Sequence, residues 1–443
     1  MQELIQRKLF LAGRALAFAR RQLPQPRELA RRLGPGLITG AADDDPSGIA
    51  TYSQAGSQFR FGLVWTLLLT TPLMIGIQML SARIGWVTGE GLAANIARVC
   101  PRWLSLALVG LLVVANTINI AADIGAMAEA ARLLAGGSAH LYIVGFGALC
   151  VLGQVCFSYE RSVRILKWLT LALFAYFAVV LVVQVPWRQA TLESLQPWRF
   201  FPEGATRGDY AGMVVAMLGT TISPYLFFWQ AAQEVEDERR RPQPAARRSE
   251  PAHAREHLRR IKQDTYAGML FSNAIALCIV LATAVTLNLQ GVAGIQTAAQ
   301  AAEALRPVAG EFAFGLFALG IIGTGLLAVP VLAGSAAYAV SEVFGWRAGL
   351  SHGFHEARGF YAIIIAATGI GTLMSIVELD PIKALLWSAI VNGVISVPIM
   401  VVMMWIGQSR RLMGAWTITA RHRVFGWAAT AVMAIAVAVM LVA

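Results

Sequence analysis

Eleven apolar runs follow one another along this 443-residue chain, and most are long enough to cross a bilayer as a helix. The runs cover residues 35–57, 62–82, 103–133, 140–159, 165–186, 210–232, 264–288, 311–343, 359–376, 383–407 and 424–443. Hydrophobic residues make up 57% of the chain and charged residues only 14%, which excludes an ordinary soluble enzyme. In lipid a helix satisfies its own backbone hydrogen bonds, whereas an open strand does not. The sequence therefore predicts an all-α membrane protein with about eleven transmembrane helices.

The distribution of Lys and Arg predicts how the chain lies in the membrane. With the N-terminus in the cytoplasm and eleven alternating spans, 29 Lys and Arg fall inside and 7 outside. The net charge of +11 then reflects membrane topology, and no nucleic-acid partner is needed to explain it. We expect a multi-pass protein of a bacterial-type inner membrane, surrounded by the lipid bilayer, with its C-terminus outside. The sequence leaves the oligomeric state open, and a monomer is compatible with it.

The spans predict five parts of the chain. Residues 1–33 carry eight basic residues among apolar ones, as is typical of an amphipathic helix on the cytoplasmic leaflet. A first group of five spans covers 34–186, an outer connection covers 187–208, a second group covers 209–407, and the eleventh span covers 424–443. Within the second group, residues 236–262 are rich in Arg, Glu and Pro, and we expect a solvated or disordered cytoplasmic loop there.

Two of the apolar runs are interrupted at mid-membrane depth. The first reads GPGLITGAADDDPSGIATYSQAG, and the sixth reads AMLGTTISPYLFFWQ. Proline lacks a backbone donor and pushes the preceding residue out of the helical region, so both helices should unwind, at Asp45 and at Ser223. Unwound backbone is tolerated at this depth only where it lines a cavity. Paired breaks in corresponding halves indicate a transport site at the midplane, although Ser223-Pro224 taken alone is more typical of a plain proline kink.

The residues at the two breaks favour a hard cation. A carboxylate at this depth is costly unless it meets a cation or a partner, so Asp45 is predicted to bind. Carboxylate, hydroxyl and carbonyl oxygens suit Mg²⁺, Mn²⁺ or Ca²⁺. Neither break contains Cys, His or Met. Asp43 and Asp44 are open to either role, as further ligands or as capping and pairing groups in a cytoplasmic vestibule.

The two interrupted runs resemble a known family. GPGLITGAADDDPSG resembles the first helix of the NRAMP divalent-metal transporters, whose motif there is Asp-Pro-Gly-Asn. GTTISPYLFFWQ resembles their Ala-Thr-Val-Met-Pro-His stretch in the sixth helix. The similarity extends over spans one to ten and implies a LeuT-type 5+5 inverted repeat, with helices 1 and 6 broken and transport by alternating access.

The departures from the family motif bear on the choice of ion. The family's metal-binding Asp matches Asp45, whereas its Asn, Ala and metal-binding Met fall on Gly48, Thr220 and Ser223. Its two sixth-helix His positions fall on Tyr225 and Gln230, an acid expected one turn after Asp123 falls on Ala126, and the ninth span lacks an internal Arg pair. The softer thioether ligand and most titratable groups used for proton movement are therefore missing. This pattern resembles the NRAMP-related magnesium transporters.

The resemblance and the residues together define a predicted site. Its metal ligands are Asp45, Gly48, Thr220 and Ser223, and its accessory candidates are Asp43, Asp44, Thr221, Tyr225, Asp123 and Asn392. For Asp123 and Asn392, pairing between helices is the competing interpretation. The prediction includes no catalytic residue and no cofactor, because the divalent cation is the substrate.

The sequence thus predicts a transporter that moves a divalent cation, most of all Mg²⁺ and to some extent Mn²⁺, into the cytoplasm without proton coupling. A proton-coupled Mn²⁺ or Fe²⁺ symporter is the alternative within the same class. A membrane prenyltransferase that binds Mg²⁺-diphosphate would need a second acidic cluster, and only Glu378 and Asp380 are available. A LeuT-fold amino-acid carrier is disfavoured, because three acids at the first break would repel a carboxylate.

Overall fold

All regular secondary structure in the described part of the chain is helical. A computed structural model describes residues 35–156, 173–196, 206–240, 251–292, 294–295, 297–377 and 380–442. Its α-helices are α1 Pro35–Asp43, α2 Pro46–Phe59, α3 Val64–Thr88, α4 Leu92–Val99, α5 Arg102–Ala135, α6 Ala139–Cys156, α7 Phe174–Val182, α8 Trp187–Leu195, α9 Arg207–Thr221, α10 Pro224–Arg240, α11 Pro251–Thr286, α12 Ala298–Glu303, α13 Arg306–Ala309, α14 Ala313–Phe344, α15 Arg358–Ile376, α16 Pro381–Gln408, α17 Arg410–Met413 and α18 Ala420–Val442. The amphipathic segment predicted over 1–33 lies outside the described residues.

The helices match the predicted number of spans. Among the described residues, nine helical stretches are long and apolar enough to cross a membrane. The first span is supplied by α1 and α2 together, and α7 is the described part of the fifth. With these two, the described helices account for all eleven predicted spans.

Packing between the two halves is reciprocal. Span 1 (α1 and α2) packs on span 7 (α11), and the second half of span 6 (α10) packs on span 2 (α3). Spans 3 and 8 (α5 and α14) pack along each other. A two-fold axis in the membrane plane would exchange these pairs, as expected of the 5+5 inverted repeat. The two interrupted spans therefore face each other in the middle of the bundle.

Glycines permit close approaches between helices at the end of the bundle where span 1 begins. A Cβ atom on Gly40 would overlap the backbone of Gly268 on α11, and one on Gly85 would overlap the carbonyl oxygen of Ala231 on α10. Small residues allow helix backbones to come this close. We call this the N-terminal side of the bundle.

The Gly40 contact predicts a stability loss. A methyl group in Gly40→Ala would meet rigid backbone, so we expect a loss of about 1–3 kcal/mol and a lower unfolding temperature. Gly110→Ala is the matched control, because a Cβ on Gly110 would meet nothing within 4 Å. Thermal unfolding in detergent measures both variants. Equal unfolding temperatures for the two would contradict the tight approach of α1 to α11.

The prediction of a solvated or disordered loop over 236–262 is wrong for the flanks that the structure describes. Helix α10 continues to Arg240, and α11 already begins at Pro251. Glu236 is buried and accepts hydrogen bonds from the Tyr338 hydroxyl and the Leu350 backbone N–H. The ring of His257 stacks on Trp86 with centroids 4.8 Å apart. Arg260 also pairs with Asp237 across these two helices, so part of the charge predicted to be solvated is used in helix packing; residues 241–250 lie outside the described part.

Helix α4 is a structural element that the search for apolar runs does not detect. It has only eight residues, and Leu92, Ala93 and Ile96 form its buried face. Glu342 on α14 accepts from the backbone N–H groups of Ala93 and Ala94, at 3.0 and 3.2 Å. This carboxylate satisfies donors at the start of α4 and fixes it to span 8.

Candidate metal site

The first span is interrupted where the sequence predicts. Helix α1 ends at Asp43 and α2 begins at Pro46, so Asp44 and Asp45 are not helical. Asp45 has extended backbone and is the N-cap of α2, where its side chain accepts from the N–H of Gly48. The aspartate predicted to bind a cation is therefore also the residue that starts the second half of the helix.

The sixth span is interrupted in the same way. Helix α9 ends at Thr221 and α10 begins at Pro224, which leaves Ile222 and Ser223 outside the helices. The Ser223 hydroxyl lies 2.8 Å from the Gly219 carbonyl oxygen and 2.9 Å from that of Thr220. The hydroxyl thus donates to carbonyl oxygens at the end of α9, where the helix offers no further backbone donor. The Thr221 hydroxyl donates back to the carbonyl of Met217, 2.9 Å away.

The two breaks lie against each other. A Cβ atom on Gly48 would be 3.2 Å from the Thr220 hydroxyl oxygen and 3.2 Å from the Asp43 carbonyl oxygen, so only glycine leaves this space open. The Tyr225 hydroxyl, in the first turn of α10, reaches Asp45 Oδ2 and the Ala42 carbonyl oxygen, each at 3.2 Å. The structure therefore brings the four predicted ligands and Tyr225 into one region.

Asp45 is surrounded by donors. Its Oδ1 accepts from the Gly48 N–H at 2.7 Å and the Ser47 hydroxyl at 2.9 Å. Its Oδ2 accepts from Asn119 Nδ2 at 3.3 Å and from the Tyr225 hydroxyl at 3.2 Å. A carboxylate has about four lone-pair sites, so these donors use its full capacity. A bound ion would have to displace one or more of them.

Asn119 was not identified from the sequence. It lies on α5 four residues before Asp123, so the two side chains share one helix face. Both are fully buried. The polar stretch NTINIAAD within an apolar span was a usable signal, because a buried Asn inside a membrane helix needs a partner.

Tyr225→Phe should lower stability without breaking the fold. The change removes a hydroxyl whose single hydrogen is shared between Asp45 Oδ2 and the Ala42 carbonyl, a loss of about 1–2 kcal/mol. We expect a lower unfolding temperature than in Tyr142→Phe, which alters a half-buried tyrosine on α6 away from both breaks. An unchanged unfolding temperature in Tyr225→Phe would show that this hydroxyl does not hold Asp45.

Asp43 and Asp44 point to a different place from Asp45. The Ser272 hydroxyl on α11 lies 2.6 Å from Asp43 Oδ2 and 3.1 Å from Asp44 Oδ1. Among the described residues, no three acidic, His or Cys side chains are close enough to hold one metal ion together. The three aspartates thus form two separate groups, Asp45 near span 6 and Asp43 with Asp44 near span 7.

Two other accessory candidates are buried without complete hydrogen bonding. Neither carboxylate oxygen of Asp123 has a hydrogen bond of acceptable geometry to a described residue. The same holds for Oδ1 of Asn392 on α16. The residue after it, Gly393, lies against Gly219 at the end of α9. Asn392 is therefore the sequence neighbour of a residue that contacts the end of α9, but its Oδ1 has no hydrogen bond to a described residue there.

Gln230, which stands at one of the two sixth-helix His positions of the motif that this chain resembles, is part of an amide network. Gln78 Nε2 on α3 donates to Gln230 Oε1 at 2.5 Å, and Gln230 Nε2 donates to the Thr265 hydroxyl at 3.1 Å. Gln78 Nε2 also reaches the Leu226 carbonyl at 3.0 Å. An amide side chain does not titrate, and these hydrogen bonds order span 6 against spans 2 and 7.

A cavity lies on the side of the site opposite the N-terminal side. Its volume is about 230 Å³, and Ile49, Ala50 and Ser53 of α2 form part of its wall. Charged side chains of Glu129 and Asp380 also line it. Because Ile49 follows Gly48 directly, the cavity reaches to within one helical turn of the break.

A family model described as natural resistance-associated macrophage protein-like matches residues 36–443. The chain belongs to the NRAMP family. Among its curated relatives is the divalent metal cation transporter MntH of Acidiphilium cryptum, 27% identical over 405 residues, which are 87% of this chain and 84% of that protein. MntH of Aeromonas hydrophila is 26% identical over 293 residues, 64% of this chain and 67% of that protein.

Solved structures show the same fold for this NRAMP chain. A manganese transporter of Eremococcus coleocola superposes with a TM-score of 0.73 at 17% identity, covering 95% of this chain and 88% of that one. A transporter of the nucleobase-cation-symport-1 family superposes with a TM-score of 0.53 at 14% identity, covering 92% of each chain. The predicted LeuT-type architecture with broken helices 1 and 6 is thereby confirmed.

Proposed function

We propose that this protein carries a divalent metal cation, with Mg²⁺ as its main substrate, into the cytoplasm by alternating access and without proton coupling. The observation that carries the proposal is the meeting of the two helix breaks, where Asp45 is the charged group and Ser223 stands at the family's methionine position. Membership of a transporter family excludes the prenyltransferase alternative. The relatives' names, as divalent metal cation transporters, favour a metal over an amino acid.

The groups at the breaks support a hard, partly hydrated ion. Asp45, Thr220 and Ser223 offer only oxygen, and the carbonyls of Gly219 and Thr220 become available when the Ser223 hydroxyl turns away. Mg²⁺ prefers oxygen ligands and releases its water reluctantly. A side chain at Gly48 would crowd the Thr220 hydroxyl oxygen and the Asp43 carbonyl oxygen, so glycine keeps these oxygen atoms accessible to an ion.

Transport without protons is energetically sufficient. A potential of about 100 mV supplies about 4.6 kcal/mol for inward movement of a divalent cation, twice the value for a single charge. The amide pair Gln78 and Gln230 replaces a group that could exchange protons. We therefore propose that the membrane potential and the ion gradient drive transport.

Flux into liposomes tests the proposal. Purified protein is reconstituted with a Mg²⁺ dye and a pH dye inside, an inward-negative potential is applied, and Mg²⁺ or Mn²⁺ is added outside. We expect Mg²⁺ entry without acidification. Mn²⁺ entry with acidification, and no response to Mg²⁺, would overturn the proposal.

Proton-coupled Mn²⁺ transport is the second candidate, and Asp123 is the observation in its favour. Its carboxylate is fully buried on α5 and has no hydrogen bond of acceptable geometry among the described residues, which leaves both of its oxygen atoms available to accept a proton. Asp123→Asn in the same liposomes separates the two candidates. Metal entry that continues in this variant supports uncoupled transport, whereas loss of both acidification and metal entry supports coupling.

A further inference from the structure

Asp43 and Asp44 form a pair of buried carboxylates that the proposed transport site does not use. Their side chains are 0% and 1% exposed. They meet at one hydroxyl, that of Ser272 on α11. A hydroxyl has a single hydrogen to donate, so it can satisfy only one of the two carboxylates at a time.

The pair contrasts with its neighbour Asp45 in the number of donors around it. Asp45 has four, whereas Oδ1 of Asp43 and Oδ2 of Asp44 are buried without any hydrogen bond to a described residue. Burying a charge is costly unless it is paired and hydrogen-bonded. The N–H and O–H donors around Asp45 therefore stabilise its charge, whereas Asp43 and Asp44 have too few donors to stabilise theirs.

A third buried group, Tyr52, lies between this pair and the predicted transport ligand Thr220. Tyr52, on α2, is 0% exposed, and its hydroxyl has no hydrogen bond of acceptable geometry among the described residues. The hydroxyl lies within electrostatic range of all three aspartates and beside that of Thr220. Side chains on a helix lean toward its N-terminus, so a tyrosine two turns into α2 reaches back to the break.

We propose a second cation site at this place, formed by the carboxylates of Asp43 and Asp44 with the hydroxyls of Ser272 and Tyr52. The site takes a divalent ion, because two carboxylates and one such ion form a neutral group and all four ligands are hard oxygens. The C-terminal end of α1, which ends at Asp43, adds negative potential. The proposal rests on the proposed transport function and adds a staging position on the N-terminal side of Asp45.

Counting bound ions tests the second site. Purified full-length protein in detergent is titrated with Mn²⁺, whose free form is counted by its electron paramagnetic resonance signal, and Mg²⁺ is then added as competitor. We expect two ions per chain in the wild type and one in Asp43→Asn/Asp44→Asn. Ser272→Ala should weaken the second ion about tenfold, as expected for loss of one oxygen ligand. The matched control is Glu193→Gln, a buried carboxylate held by Gln189 and the Phe61 N–H, and it should still bind two.

Thermal unfolding of the metal-free variants is a second measurement, and it does not depend on the success of the titration. Asp43→Asn/Asp44→Asn removes two buried carboxylates that lack donors, so the metal-free variant should unfold at a temperature no lower than that of the wild type. It should also lose part of the stabilisation that added Mn²⁺ gives the wild type. A lower unfolding temperature with unchanged stabilisation by Mn²⁺ would overturn the second site.

The outcomes separate this site from the transport function. One bound ion in the wild type, lost in Asp45→Asn and retained in Asp43→Asn/Asp44→Asn, would overturn the second site and leave the transport proposal standing. No bound ion together with no flux in liposomes would overturn both. Two bound ions, one removed by each set of changes, would establish two positions.

Discussion

Asp45→Asn should abolish metal uptake, with a loss of at least about 100-fold in the initial rate. The change removes the charged ligand at the meeting of the two breaks and replaces one acceptor oxygen with a donating amide. Either the Gly48 and Ser47 donors or the Asn119 and Tyr225 donors would then face another donor. A hydrogen bond to a charged group contributes about 1.5–3 kcal/mol, and we expect the loss of a charged ligand to cost at least as much. A loss of about 2.7 kcal/mol in the free energy of ion binding corresponds to a 100-fold effect.

Mg²⁺ flux into liposomes measures this effect, with protein content and orientation matched between samples. Glu303→Gln is the control, because it makes the same carboxylate-to-amide change at a surface pair with Arg306, away from both breaks. We expect wild-type flux in that control. Flux within a few-fold of wild type in Asp45→Asn would remove Asp45 from the transport site.

Ser223→Met should turn the ion preference toward softer metals. The variant restores the thioether that the related motif carries, and it frees the Gly219 and Thr220 carbonyls from the Ser223 hydroxyl. Thioether sulfur favours softer ions over Mg²⁺. We expect the ratio of Mn²⁺ or Cd²⁺ flux to Mg²⁺ flux to rise by at least about tenfold, equivalent to 1.4 kcal/mol of selectivity.

Two control variants isolate the role of the sulfur at position 223. Ser223→Ala frees the same carbonyls without adding sulfur, so it should keep the preference for Mg²⁺. Met127→Leu removes a thioether that already lies beside Gly325, close to Pro46 at the first break. If Met127→Leu rather than Ser223→Met changes the ion ratio, the hard character assigned to the site is wrong.

The helix breaks could be predicted because their causes are local. A proline after a polar residue acts within one or two positions, so DDDPSG and ISP place the interruptions to within a residue. The span count likewise follows from the lengths of apolar runs. The donors around the aspartates could not be predicted, because Asn119 and Ser272 come from spans 3 and 7 and reach the breaks only through tertiary packing.

Charged residues misled the sequence interpretation in one region. The stretch over 236–262 has the composition of a linker, and composition carries no information about which charges pair across helices. Arg260 with Asp237, and Glu236 with Tyr338, turn its described flanks into packed helix. The division of the three adjacent aspartates into two groups could not be predicted from the sequence either. At a helix break, the side chains of consecutive residues point in directions that depend on the local backbone.

The position of Asp45 as the cap of α2 links ion occupancy to the shape of the first span. An ion bound there must draw lone pairs away from the Gly48 N–H and the Ser47 hydroxyl, which hold the first turn of α2. By thermodynamic reciprocity, any change that tightens that first turn must weaken the ion by the same factor, and the reverse. The start of α2 would then respond to occupancy: filling and emptying the site would alter how firmly the first turn of α2 is held.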